Sequence, residues 1–210
     1  MEPHELLHAL QTQRLVAIVR GADPDAALDT VLNLVRSGIR LVEVSLSGAE
    51  ALNVIERARH ALGDDALLGA GTVLTAEDAR RAADAGAVYT VTPGVTEAVR
   101  ASRAIGLPVL AGALTPTEVV AALAEGATAV KLFPAGSGGV ELLRALRAPF
   151  PHVPFVPVGG IDDARARDLL AAGAVAVGVG SPLVGRAADG DATGLTERIA
   201  AFRALAEEAA

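Results

Sequence analysis

The chain has 210 residues, 51% of them apolar and only 2% aromatic, so a single domain can bury a large core built from Ala, Val, Leu and Ile. A formal charge of −7 gives no electrostatic reason to bind nucleic acid or an anionic membrane. The absence of cysteine excludes disulfides, thiolate metal sites and a cysteine nucleophile.

Taken in chain order, the segment Met1–Arg14 is acidic and contains His4 and His8, with no apolar signal core. Together with the lack of any 18-residue apolar run, this fits a cytoplasmic enzyme with no membrane span. A helix is expected near Pro3–Leu10. Strands follow at Leu15–Val19, Arg40–Leu46, Ala66–Gly69, Val88–Val91, Val109–Gly112, Ala127–Leu132, Phe155–Val158 and Ala174–Gly178. Helical segments separate them, and a last helix is expected near Thr193–Glu208. The helices before most of these strands end in glycine (Gly38, Gly63, Gly86, Gly106, Gly126 and Gly173), the residue that most easily adopts the left-handed conformation that stops a helix. From 38 to 126 these glycines are spaced 25, 23, 20 and 20 residues apart, the length of a compact strand–helix unit. Asp23-Pro24, Thr75 to Asp78, Thr115 to Glu118 and Asp162-Asp163 supply the caps, prolines and acids of helix first turns. Eight such units predict an α/β protein of one domain spanning residues 1–210: a (β/α)8 TIM barrel with an extra N-terminal helix.

In such barrels the chemistry sits at the C-terminal ends of the strands. Lys131 lies there, at the end of the sixth strand, and is the only lysine; the other 17 basic residues are arginine. Desolvation in an apolar strand favours a neutral amine, which a Schiff-base lysine needs and an arginine cannot supply. The competing reading of Lys131 is a buried ion pair or a side chain that reaches solvent. Glu43 interrupts the second strand between Val42 and Val44, so strand alternation points it into the barrel. It reads as a general acid/base, as the counter-ion of Lys131, or as both. Arg20 follows the first strand and could clamp a carboxylate or phosphate. Thr72 places a hydroxyl after the third strand, and Pro93 an apolar wall after the fourth. Gly159-Gly160 follow the seventh strand and Gly180-Ser181 the eighth, where barrels often bind phosphate; tight turns are the alternative. No cluster of His or carboxylates at strand ends suggests a metal.

The segments Val16–Gly21, Gly38–Glu43, Gly69–Leu74, Thr92–Gly94, Val130–Ala135 and Gly159–Ile161 resemble the class I aldolases that cleave 2-keto-3-deoxy-6-phosphogluconate and 4-hydroxy-2-oxoglutarate. The resemblance runs from about Leu15 to Val184. It implies Lys131 as the Schiff-base lysine and Glu43 as the general acid/base. It also implies Thr72 at the pyruvate carboxylate, Pro93 and Phe133 around the pyruvate methyl, and Gly160 with Ser181 at the phosphate. It implies a homotrimer that needs no cofactor and takes keto acid and aldehyde substrates. Two positions depart from the phosphogluconate pattern: Ser47 stands where many members carry a carboxylate-binding arginine, and Val158 where many carry threonine. Val158, together with the stretch Ile18-Val19-Arg20-Gly21, looks more like the 6-phosphogalactonate relatives, and Arg20 is the candidate to replace the arginine missing at Ser47. A phosphosugar isomerase or epimerase would use the same loops with Glu43 as base, without Lys131 as nucleophile. A non-catalytic barrel that binds a phosphorylated ligand is the third class.

Overall fold

The computed structural model describes residues 1–208. It opens with helix α1 (Pro3–Gln13), followed by β1 (Leu15–Val19), α2 (Pro24–Arg36), β2 (Leu41–Ser45), α3 (Ala51–Leu62) and β3 (Leu67–Gly71). Next come α4 (Ala76–Asp84), β4 (Tyr89–Val91), α5 (Glu97–Ala104), β5 (Val109–Ala113), α6 (Pro116–Ala124) and β6 (Ala129–Leu132). The chain continues through α7 (Gly139–Arg147), β7 (Phe155–Pro157), α8 (Asp163–Ala171), β8 (Val177–Val179), the short α9 (Ser181–Val184) and α10 (Leu195–Glu208).

All neighbouring strands pair in parallel, in the order β7-β6-β5-β4-β3-β2-β1-β8. The ends of this sheet meet through a parallel bridge between Val158 and Gly178, and the Val175 amide donates to the Phe155 carbonyl at 2.9 Å. The sheet thus closes into the expected (β/α)8 barrel. The helix ends follow the local chemistry. Thr75 with Asp78, and Thr115 with Glu118, form reciprocal capping boxes, while Asp23 and Asp162 cap α2 and α8. Gly38, Gly86, Gly106, Gly126 and Gly173 all adopt positive φ just after a helix.

Strand alternation divides the core in two. Outward-facing residues such as Ala17, Val42, Val44 and Ala111 pack under the surrounding helices. Inward-facing Val16, Leu41, Tyr89, Leu110, Ala129, Val156 and Ala176 form a separate cluster with Leu6, Ala9 and Leu10 of α1. The extra N-terminal helix therefore plugs the N-terminal end of the barrel, and the opposite end remains open for chemistry.

Three strand limits differ from expectation by two residues or more. The sixth strand begins at Ala129 rather than Ala127, because the Ala127 amide still closes the end of α6 by donating to the Ala122 carbonyl. The last strand begins at Val177 rather than Ala174, because the Ala174 amide still closes the end of α8 by donating to the Leu169 carbonyl, and the ladder to β1 starts only where Leu15 meets Val177. The third strand runs two residues further, to Gly71, because β2 pairs with it along its whole length.

Candidate active site

A cleft of ≈ 710 Å³ opens at the C-terminal ends of the strands. Every site residue expected from the sequence lines it. Lys131, Glu43, Thr72, Pro93 and Phe133 surround one part, and Gly159, Gly160, Gly180 and Ser181 line the loops after β7 and β8. Arg20 reaches the cleft from the loop after β1. That loop is held in place, since the Ala22 amide donates to Asp189 at 2.8 Å and the Ala49 amide donates to the Gly21 carbonyl at 2.9 Å.

Lys131 is 6% exposed and Glu43 2% exposed. Their charged ends face each other across the barrel, with Lys131 Nζ 3.9 Å from Glu43 Oε1. That separation is an ion-pair contact but too long for a hydrogen bond, so the amine is not held by the carboxylate. Nζ also stands 5.2 Å from the centroid of the Phe133 ring, which favours a cation there and walls off one side. Burial pushes the Glu43 carboxyl above its ordinary range, and the nearby charges of Lys131 and Arg20 pull it partly back.

The space for Glu43 is created by glycine. In the ladder Glu43 is level with Gly69, and a Cβ added at Gly71 would lie 1.8 Å from Glu43 Oε1. On the other side of the barrel Lys131 is level with Gly112 of β5, where a Cβ would meet the Pro93 backbone at 2.2 Å. The missing side chain at Gly71 lets Glu43 lie along the barrel wall, while the one at Gly112, beside Lys131, makes room for the Pro93-Gly94 backbone.

Thr72 has φ +59°, a left-handed conformation that a β-branched residue rarely adopts and that costs about 1–3 kcal/mol. Its hydroxyl lies 2.9 Å from the Ser45 hydroxyl, which lies 2.8 Å from that of Ser47. A row of three hydroxyls thus borders the cleft beside Glu43. At the far side, Gly159 and Gly160 have φ +98° and +69°, and a Cβ on Gly159 would press on the Phe133 ring at 3.1 Å. The turn is fixed by Arg165 of α8, which donates to the Gly160 carbonyl at 2.7 Å. The N-terminal turn of α9 begins at Ser181, beside this loop, so the two expected anion-binding segments do line one wall together.

Three contributors were not singled out from the sequence. Ser45 sits two residues after Glu43, so alternation along β2 already aims it inward. Tyr89 is the single tyrosine and lies inside the barrel; its apolar neighbours concealed it among core residues. Arg165 acts through a loop carbonyl, and nothing in its local sequence marks it. Among the described residues, no group of three or more His, Asp or Glu could hold a metal ion, and no helix is long and apolar enough to cross a membrane.

Comparison with known proteins gives the family. The family model "KDPG and KHG aldolase" matches residues 6–197. A probable 2-dehydro-3-deoxy-6-phosphogalactonate aldolase of Rhizobium meliloti is 37% identical over 171 residues, covering 80% of this chain and 81% of the relative. A 2-dehydro-3-deoxy-phosphogluconate aldolase of Treponema pallidum is 38% identical over 158 residues, covering 74% and 75%. The solved KDPG aldolase of Legionella pneumophila, with pyruvate captured as a covalent carbinolamine, superposes with a TM-score of 0.83 at 26% identity, covering 100% of this chain and 98% of that one. The chain belongs to the KDPG and KHG aldolase family and is a Schiff-base aldolase, a carbon–carbon lyase.

Proposed function

We propose that this aldolase reversibly cleaves a 2-keto-3-deoxy-6-phospho sugar acid to pyruvate and glyceraldehyde 3-phosphate, with Lys131 as nucleophile and Glu43 as the proton carrier. The observation that carries the reading is the buried amine–carboxyl pair, 3.9 Å apart, at the open end of the barrel. The neutral Lys131 amine attacks the C2 ketone and gives a carbinolamine. Glu43 protonates the departing hydroxyl, water leaves, and an iminium remains. The iminium is the electron sink, so the cleavage calls for no cofactor. Glu43 then takes the C4 hydroxyl proton, the C3–C4 bond breaks, and its electron pair moves into the enamine as the aldehyde departs. Protonation at C3 and hydrolysis release pyruvate and regenerate Lys131. A carboxyl held above its ordinary range by burial suits a group that must both give and take a proton.

The remaining residues divide along the substrate. Thr72 holds the keto-acid carboxylate with Arg20, which lines the same cleft where Ser47 offers no charge. Pro93 and Phe133 enclose the pyruvate methyl. Gly159, Gly160, Gly180 and Ser181 present backbone to the phosphate. The C4 epimer of the galactonate series is the second reading. It is favoured by Val158 and Ile18 at the cleft wall and by the Rhizobium relative's name. The smaller 4-hydroxy-2-oxoglutarate, giving pyruvate and glyoxylate, fits the same pyruvate half. We also take the protein to be a cytoplasmic homotrimer in which residues 1–210 act as one aldolase domain. The exposed Val120 and Leu123, three apart on α6, support an assembly face.

The test is borohydride reduction with pyruvate, followed by peptide mass spectrometry. One reduced pyruvate adduct on the peptide that carries Lys131 is expected, with none in Lys131→Arg. A folded protein that gains no adduct overturns the assignment of Lys131. Relative kcat/KM for the two C4 epimers then decides between the sugar acids.

A further inference from the structure

The inner face of β3 carries glycine at Gly69 and Gly71, and two polar side chains of its neighbours converge over that bare strip. Gly69 is level with Glu43 on one side and with Tyr89 on the other. A Cβ at Gly69 would lie 2.3 Å from both Cε2 and Cζ of Tyr89, so the hydroxyl-bearing end of the ring lies over β3. Glu43 leans over Gly71, two residues further along the same strand. Tyr89 is fully buried, and its hydroxyl has no hydrogen-bond partner among the described residues. A buried hydroxyl left unpaired costs about 1–3 kcal/mol, and the phenol could be phenylalanine at no loss of packing. Burial first, and the field of Glu43 second, push the phenol well above its ordinary range, so it remains a proton donor throughout the working pH range.

We propose that Tyr89 is a positioning residue for Glu43: its hydroxyl, directed across Gly69, donates to the carboxylate when Glu43 is ionised and is left free when Glu43 is protonated. The inference rests on Glu43 as the proton carrier. Tyr89 lies in the inner apolar cluster that α1 closes, so it approaches Glu43 from below, opposite the open cleft where substrate enters. The other charged groups that act on Glu43 are Lys131 on β6 and Arg20 after β1, and both line the cleft. Tyr89 thus adds a donor from the one side that substrate cannot occupy. A donor that gains its partner only in the ionised state stabilises that state, so it makes the carboxyl a stronger acid than burial alone would leave it.

The protein has one tyrosine and no tryptophan, so a tyrosine signal reports on Tyr89 alone. We would follow the 13Cζ resonance of labelled tyrosine from about pH 4 to 9 in the parent and in Glu43→Gln. A step is expected in the parent and none in the variant. In parallel, Tyr89→Phe should move the acid limb of the kcat profile up by about one pH unit, with a melting temperature, taken at acid pH where Glu43 is protonated, equal to or above the parent's. A purely structural tyrosine would instead lower the melting temperature and leave the limb in place. A tyrosine resonance that ignores Glu43, or a Tyr89→Phe profile that superimposes on the parent's, overturns the proposal. Failure of the Glu43 assignment looks different: Glu43→Gln would stay active whatever the tyrosine resonance does.

Discussion

The tightest contact in the site suggests the sharpest perturbation, Gly71→Ala. The substitution adds one methyl group at a position whose backbone is not left-handed, so the main chain accepts alanine without conformational strain. The methyl would lie 1.8 Å from Oε1, 2.4 Å from Cδ and 2.5 Å from Cγ of Glu43. Carbon and oxygen atoms rest at more than about 3.3 Å, so the end of the carboxyl must retreat by roughly 1.5 Å. Glu43 can move because its end is flexible, which limits the cost to stability to about 1–3 kcal/mol of overpacking. The cost to chemistry is larger, because a misplacement of about 1 Å in a reacting group can cost about 100-fold in rate, or ~2.7 kcal/mol. Pyruvate release coupled to NADH oxidation by lactate dehydrogenase gives kcat and KM, and thermal melting shows whether the fold survives. The expected result is kcat down by about two orders of magnitude in a folded protein, with Lys131 still trapped by borohydride. A folded Gly71→Ala enzyme with parental kcat would refute the claim that the glycine exists to seat Glu43.

Glu43→Gln should lower kcat by between about a hundredfold and ten-thousandfold while leaving the fold intact. It should also change the pH dependence of stability. The folded-state pKa of Glu43 is raised, so its contribution is fully present below the ordinary carboxylate range and is lost as pH rises through the folded value. The parent should therefore lose stability relative to Glu43→Gln between acid and neutral pH in urea titrations, and a constant difference would contradict the burial argument. Thr72→Val keeps the branched shape at φ +59° but removes the hydroxyl bonded to Ser45. It should raise KM by about tenfold with kcat nearly unchanged; a pure kcat effect would move Thr72 out of the carboxylate site. If the proposed homotrimer packs through α6, glutamate at both Val120 and Leu123 should reduce the sedimenting species from three chains to one, and an unchanged trimer would locate the interface elsewhere.

Much of this arrangement was legible because barrels translate strand order directly into position. Alternation aims the glutamate of the second strand inward, and position at the end of the sixth strand marks the lysine; both are inward and buried. The helix caps were equally legible, since Thr75 and Thr115 act on residues three positions away. Strand ends were less so. Ala174 to Ala176 look like strand because they are small and apolar, yet the hydrogen bond that ends α8 claims Ala174 first. The approach of Tyr89 over Gly69 and of Glu43 over Gly71 was not legible at all, because it depends on ladder register between β2, β3 and β4. Glycine in a strand is a weak local signal; only the register shows which neighbour needs the space.

The same register explains why this barrel can keep an amine and a carboxyl buried together. A buried pair is costly to desolvate, and attraction offsets the cost only when geometry and further hydrogen bonds are good. Here the pair is 3.9 Å apart, too far for a hydrogen bond, and each member sits beside strand positions cleared of side chains. Such an arrangement is poor at stabilising the fold and well suited to reaction. A pair locked at hydrogen-bond distance would fill the space a carbonyl carbon must enter. The larger separation, with Phe133 on one side and glycine along the wall, leaves Nζ near a proton acceptor but not bound to it. Stability is supplied elsewhere, by the apolar cluster that α1 seals at the other end of the barrel. The enzyme thus separates the two demands along the barrel axis, packing one end densely so that the other can hold an unsatisfied charge pair.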